Sequence, residues 1–171
     1  MSTKSSRVNG SVKRLACCGI FVAIGIVLSA IDISHLNLEI ISLALFAMMF
    51  DVRSTVLVAV LSDVVGYMVL PSGGAFNFGF ALSSVLTALL FSLMFSGNVR
   101  PVRIVLAVAA NSVFILWLLN SYWLHLVSGS PYLPYLTVRG PKILIMMCVT
   151  SAILIIFSKR SDILKFVSRK N

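Results

Sequence analysis

The chain has 171 residues, of which 59% are hydrophobic and 11% are charged, and its mean hydropathy is +1.04. A soluble domain of this size could not bury so much apolar surface, so the composition excludes that class and leaves an integral membrane protein. The formal net charge of +9 lies at the chain ends and in short loops, which is typical of membrane topology rather than of a nucleic-acid surface.

The apolar runs are continuous and are not alternating, so they indicate spanning helices rather than the strands of a barrel. They predict a single all-α membrane domain, residues 1–171, with six spans and with cytoplasmic tails at 1–11 and 160–171. The first five spans are expected near 12–31, 38–50, 54–70, from the end of the 71–79 turn to 95, and 104–127. The sixth is expected over 141–158, after a loop at 128–140, because Pro141 suits the first position of a helix.

The basic residues predict the orientation of the chain. Six spans place both termini on one side, and 12 of the 14 Lys and Arg residues fall there, so that side is predicted to be cytoplasmic. The two exceptions are Arg139 and Lys142, at the predicted start of the last span. A helix N-terminus already carries partial positive charge, so two cations there predict an anionic ligand, either a carboxylate or a phosphate. Contact with lipid headgroups, or pairing with Glu39 or Asp32, is the alternative.

Polar side chains near the predicted outer face are further candidates for a binding site, and Glu39 is one of them. Asp63 lies within the third span, where a carboxylate is energetically unfavourable and therefore indicates a functional role. A structural carboxyl group that is hydrogen-bonded within the protein is the alternative. Asn120, Tyr122 and Trp123 lie in the last two turns of the fifth span. An amide beside aromatic faces suits a planar heteroaromatic ligand, although Trp123 also fits an interfacial aromatic belt.

The stretch from Gly73 to Phe80 adds Phe76 and Phe80 to this aromatic material on the outer side. His125 has no second histidine suitably spaced for a metal, because His35 is remote in sequence, so we predict no metal site. The three cysteines lie within apolar runs and are interpreted as packing residues: Cys17, Cys18 and Cys148.

Small residues recur along one face of the first span. Gly19 and Ala23 form a small-xxx-small pair, with Ala16 nearby. Such a face lets another helix approach closely. The neighbouring helix belongs either to the same chain or to a partner protein.

Four stretches together resemble a known family. These are GIFVAIGIVL, LSDVVGYMVLPSGGAFNFGFALS, NSYWLHLVSG and VRGPK, which occur in this order along nearly the whole chain. The sequence is similar to the substrate-binding S components of energy-coupling factor (ECF) transporters, most closely the folate-specific branch. It departs from the family pattern at Gly19, where alanine is usual, and at Phe78, where proline is usual.

The resemblance implies a high-affinity vitamin-binding subunit that is not an enzyme. It implies a transmembrane coupling protein and two cytoplasmic ATPases as partners, with transport by toppling of the S component in the membrane. ATP and Mg would be used by the ATPases, and no cofactor is expected in this chain. The face with Ala16, Gly19 and Ala23 would dock on the coupling protein. The pterin of folate would meet Asn120 and the aromatic residues, while its glutamate carboxylates would meet Arg139 and Lys142.

Three other functions stay open at this point. The first is the same family with another vitamin, such as pantothenate, pyridoxine or a pyrimidine precursor. The second is an intramembrane enzyme that uses Asp63 and His125, for which the sequence offers no further catalytic group at matching depth. The third is a structural subunit whose outer cations bind lipid and which has no small-molecule ligand.

Overall fold

The computed structural model describes residues 2–30, 38–69, 78–96, 99–129 and 131–159, and nearly all of them are helical. The helices are α1 (Ser2–Ala30), α2 (Glu39–Met49), α3 (Val52–Val69), α4 (Phe78–Phe95), α5 (Pro101–Ser128) and α6 (Tyr132–Lys159). The last four are long and apolar enough to cross a membrane, and α1 and α2 contain shorter apolar stretches. The prediction of an all-α protein with six helices is confirmed.

The first helix is longer than its predicted span, and the predicted start of the last helix is wrong. α1 begins at Ser2, so the polar N-terminal residues continue the helix of the first span, and their assignment to a cytoplasmic tail stays a prediction. α6 begins at Tyr132, and Pro141 lies inside it instead of at its start. Hydropathy marks where a helix enters the apolar layer and does not mark where the helix ends, so both helices extend beyond their apolar runs.

The extra turns of α6 are helical because they pack against α5. The Trp117 indole N–H donates to the carbonyl oxygen of Leu136 at 2.9 Å, and the Tyr132 hydroxyl donates to the carbonyl oxygen of Leu118 at 3.2 Å. Pro134 falls in the first turn, where backbone N–H groups have no helical acceptor. Proline within a membrane helix is tolerated when neighbouring groups satisfy the freed backbone, so Pro141 does not end α6.

Two apolar clusters hold the helices together. One joins α2, α4, α5 and α6 around the fully buried Phe91, Ile104 and Leu154. The other joins α1, α2, α3 and α4 around Phe46, which stacks on Phe50 with ring centroids 4.3 Å apart. Both clusters lie towards the ends of the helices that the basic residues predict to be cytoplasmic. The opposite ends are therefore left for polar groups.

The middle of α5 is π-helical from Asn111 to Leu119. The backbone N–H of Asn120 bonds to the carbonyl oxygen of Ile115, five residues earlier, where the π segment ends. Segments of this kind are frequent at functional sites. Here the segment leads directly into the turn that carries Asn120.

Candidate functional site

A cavity of about 230 Å³ lies between α2, α3, α4 and α5. It brings together four residues that the sequence predicts for a binding site, although they are distant in the chain: Glu39, Asp63, Phe80 and Asn120. Glu39 lies in the first turn of α2, where the helix N-terminus favours an acidic side chain. Apolar walls from α2 and from the π segment complete the described lining: Ile40, Leu43, Ile115 and Leu116.

Three hydroxyl groups of α4 also line the cavity, and the sequence analysis missed them. They are Ser83, Ser84 and Thr87, which share one face of an otherwise apolar helix. These residues occupy positions i, i+1 and i+4 of α4, and this spacing of hydroxyl residues in an apolar sequence could have predicted a polar helix face. Each one hydrogen-bonds within the protein: Ser83 to the carbonyl oxygen of Gly79, Ser84 to the carboxyl group of Asp63, and Thr87 to Asn111 Oδ1.

Several polar atoms around the cavity are buried without a hydrogen-bond partner. In the cavity lining these are Asp63 Oδ2 and Asn120 Oδ1, and Asn120 is only 8% exposed. Outside the described lining, five further polar atoms are buried without a partner: Trp123 Nε1, Arg139 Nη1, Ser92 Oγ, Asn111 Nδ2 and Ser121 Oγ. A buried polar atom without a partner is unfavourable, so such atoms indicate a ligand or water that the fold is built to receive.

Trp123 lies next to the cavity but does not line it. Its indole packs against Gly79, directly before Phe80, and a Cβ at position 79 would come within 2.6 Å of Trp123 Cε3. One face of the ring is therefore occupied by the backbone of α4. Tyr122 is 47% exposed, with its ring centroid 5.5 Å from that of Trp123.

We expect Gly79→Ala to displace Trp123 and lower the stability of the protein by about 1–3 kcal/mol, the usual effect of overpacking. Thermal unfolding in detergent, followed by tryptophan fluorescence, measures this change. Gly19→Ala is the matched control, because a Cβ there meets nothing within 4 Å. Unfolding temperatures that fall equally in both variants would contradict a specific role for the contact between Gly79 and Trp123.

Arg139 and Lys142 lie within α6, seven and ten residues after its start at Tyr132. The prediction that they stand at a helix N-terminus is therefore wrong, and the argument from the helix dipole no longer applies to them. Both side chains are half-buried, and neither belongs to the described lining of the cavity. A Cβ added at Gly140 would lie 3.8 Å from Trp117 Nε1, so this turn of α6 packs against α5.

The remaining candidates have different positions. The ring of His125 lies edge-on to Tyr132, with centroids 6.2 Å apart, which joins the ends of α5 and α6. Phe76 lies outside the described residues, as do Asp32 and His35. Within the part of the chain that the structure describes, no group of three or more His, Cys, Asp or Glu residues could hold a metal ion. None of the three cysteines forms a disulfide bond: Cys17 is half-buried, Cys18 is buried and Cys148 is exposed.

The small-residue face of α1 is open. Ala16, Gly19 and Ala23 are all exposed, and no atom lies within 4 Å of a Cβ placed at Gly19. Large apolar residues beside it are exposed as well, including Leu15 and Ile20. Close packing against another helix of the same chain, one of the two sequence-based alternatives, is therefore not what the described residues show.

A family model described as "ECF transporter, substrate-specific component" matches residues 13–158. The chain belongs to this family. A curated relative, the folate transporter FolT of Clostridium novyi (strain NT), is 28% identical over 130 residues, which cover 75% of each protein. A crystal structure of FolT bound with folic acid has the same fold, with a TM-score of 0.78 and 22% identity over 86% of this chain and 93% of that one.

This S component is therefore a multi-pass protein of the bacterial cell membrane and the substrate-binding part of a transporter. The family assignment agrees with the apolar helices and with the cavity. It confirms the resemblance that the four sequence stretches indicated. The cavity is the candidate site for the substrate, because it collects buried polar atoms that lack partners within the protein.

Proposed function

We propose that this S component binds folate or a reduced folate outside the cell and delivers it by toppling against a transmembrane coupling protein. Two cytoplasmic ATPases would supply the energy and would use the ATP and Mg, so this chain is neither an enzyme nor a carrier of a cofactor. The family membership supports the transporter assembly. The similarity to a folate transporter and to a fold seen with folic acid supports the vitamin.

One observation in this chain carries the proposal. Four buried polar atoms without partners belong to four residues that the sequence predicts for substrate binding: Asp63 Oδ2, Asn120 Oδ1, Trp123 Nε1 and Arg139 Nη1. They comprise two acceptors, one neutral donor and one cationic donor. Folate carries ring donors and acceptors at one end and carboxylates at the other, so it offers a partner to each kind of atom.

Folate also suits the division of the site into two parts. The cavity of about 230 Å³ is smaller than the roughly 300–1,000 Å³ of pockets that enclose whole drug-sized ligands. We therefore place only the pterin ring there, against Phe80 and Asn120, with the glutamate carboxylates towards Arg139 and Lys142. Pantothenate, the nearest rival with a carboxylate, has no aromatic ring to fill a cavity lined by Phe80.

Direct binding measurements on the purified, detergent-solubilised protein test the proposal. We expect saturable folate binding that pantothenate and pyridoxine do not displace. The double variant Arg139→Ala/Lys142→Ala should weaken folate binding roughly 10- to 100-fold, the usual loss for one or two charge-assisted contacts. Its effect on 6-methylpterin, which has no carboxylate, should be much smaller.

A matched control is Arg100→Ala/Arg103→Ala, which removes two exposed cations at the opposite end of the bundle. This variant should bind folate as the wild type does. Absence of saturable folate binding to the wild-type protein would refute the proposed vitamin. An equal loss for folate and 6-methylpterin would instead remove Arg139 and Lys142 from the carboxylate-binding part of the site.

A further inference from the structure

Two acidic side chains, Glu39 and Asp63, line the same cavity from neighbouring helices. We propose that these two acids hold one proton between them and that the substrate binds to this protonated pair. The inference rests on the proposed function and deepens it, because it adds a proton as a second ligand of the cavity. It concerns the charge of the cavity and does not depend on which end of the substrate lies there.

The two acids lie close together, although Glu39 belongs to the first turn of α2 and Asp63 to α3, six residues before its end. A Cβ added at Gly25 of α1 would lie 3.7 Å from Glu39 Cγ and 3.1 Å from Ser62 Oγ, and Ser62 directly precedes Asp63. The charges of the two acids are near enough to interact. Like charges inside an apolar bundle repel each other more strongly than in water, so a second negative charge here is unfavourable.

No basic side chain in the described lining of the cavity offsets these two charges. The lining from α4 and α5 consists of hydroxyl groups, one amide and apolar groups. α1 carries no charged residue after Arg14, and Tyr67, one turn after Asp63 on α3, is a phenol that brings no positive charge. Arg139 and Lys142 belong to α6, which also packs against α2, but they are not part of the described lining. A proton is therefore the cation that removes the second charge.

The hydrogen bonds of the cavity also favour a protonated acid. Asp63 Oδ2 and Asn120 Oδ1 are acceptors buried without a partner, and Asn120 is more than nine-tenths buried. Ser84 already hydrogen-bonds the carboxyl group of Asp63, while Ser83 and Thr87 donate to groups outside the described lining. A proton on either acid converts one acceptor into a donor. The proton therefore lowers the charge of the cavity and also supplies a donor where buried acceptors lack one.

Substrate binding makes the proton more strongly held. A ligand that fills the cavity displaces water from both acids, and folate also brings two carboxylates of its own, so a second negative charge on the pair is less favourable in the complex than in the free protein. As the pH rises, the free pair loses its proton to solvent, and binding must then take one proton back from solvent. Folate affinity should therefore fall as the pH rises, by at most about 10-fold per pH unit for one linked proton.

Calorimetry of folate binding to the purified protein, from about pH 6 to about pH 9 in buffers of different ionisation enthalpy, tests the inference. We expect the dissociation constant of the wild-type protein to rise with pH, with uptake of about one proton per folate at the upper end. Folate itself ionises at high pH, so the variants are compared with the wild type. Glu39→Gln and Asp63→Asn should each remove the protein's share of the pH dependence, whatever their absolute affinity.

Three control variants should keep the pH dependence of the wild type. Asp51→Asn removes an exposed carboxylate between α2 and α3, while Asp32→Asn and His35→Gln change titratable groups outside the described residues. Loss of the pH dependence in His35→Gln would overturn the inference. So would a pH dependence that is equal in the wild type and in both acid variants, and in that case folate remains the ligand. Absence of saturable folate binding at every pH would instead refute the proposed function.

Infrared spectroscopy of the wild-type protein decides the matter even if the acid variants do not fold. The chain has five acidic residues in total, so the C=O stretch of a protonated carboxyl group is not hidden by many others. At about pH 7, where exposed acids are ionised, the ligand-free protein and its folate complex should both show this band. Its absence from the folate complex would overturn the inference.

Discussion

The Gly19→Trp protein is expected to bind folate as tightly as the wild type and yet to support no ATP-dependent folate uptake. Gly19 is exposed on α1, and its neighbours Ala16 and Ala23 keep that face flat. A flat face of small residues lets a second helix approach closely, and an indole placed in its centre would hold the two helices apart. The described lining of the cavity comes from α2, α3, α4 and α5 and includes no residue of α1, so binding should be unchanged.

Uptake of labelled folate into vesicles that contain the S component, its coupling protein and the ATPases measures the first part of this prediction. Binding to the detergent-solubilised S component measures the second. Leu93→Trp is the matched control, because Leu93 is an exposed residue of α4 and is distant in sequence from the small-residue face. Normal uptake by Gly19→Trp would show that this face of α1 does not dock on the coupling protein.

The docking and binding predictions concern different sides of α1. Its exposed side carries Gly19, while Gly25 faces inward, where an added Cβ would lie 3.1 Å from Ser62 Oγ and 3.7 Å from Glu39 Cγ. One helix therefore borders the candidate site and also offers the candidate docking surface. A ligand that contacts Glu39 would therefore touch a side chain that lies beside the helix proposed to dock on the coupling protein.

The six helices could be predicted because apolar runs of membrane-spanning length leave few alternatives to a helix in a bilayer. The start of α6 could not, because the turns from Tyr132 to Gly140 are stabilised by Trp117 and by other contacts with α5, which a local reading of loop residues misses. Pro141 is compatible with either the first or an interior position of a membrane helix. Only the packing decides between them.

The candidate site was partly predictable for a related reason. Asp63 and Asn120 stand out in sequence because polar groups within spans are expensive, and the structure brings them into one cavity. Sequence alone could not show that Ser83 and Thr87 have their protons committed elsewhere, since that depends on Gly79 and Asn111 in the folded chain. Nor could it show that Arg139 belongs to the body of a helix rather than to its N-terminus.

Asn120→Leu is expected to weaken folate binding roughly 10- to 100-fold while the ligand-free protein unfolds at an unchanged or higher temperature. The loss of folate affinity and the gain in stability have the same cause, the side-chain oxygen of Asn120. Asn120 Oδ1 is buried without a partner, so the ligand-free protein carries an unsatisfied acceptor that a leucine of similar size removes. In the complex, the same replacement leaves a donor of the ligand unpaired, which costs about 1–3 kcal/mol.

Folate binding and thermal unfolding of Asn120→Leu, measured on the same preparation, test both signs together. The control is Thr87→Val, at a buried threonine of α4 whose hydroxyl donates a hydrogen bond to Asn111 Oδ1 at 2.9 Å. That variant loses a bond within the protein, so its unfolding temperature should fall. A fall of the same size in Asn120→Leu would mean that its amide stabilises the fold rather than awaiting a ligand. Unchanged folate affinity would place the ligand elsewhere. Asn120 is the only amide side chain in the described lining of the cavity and is more than nine-tenths buried, so a substrate that fills the cavity contacts it.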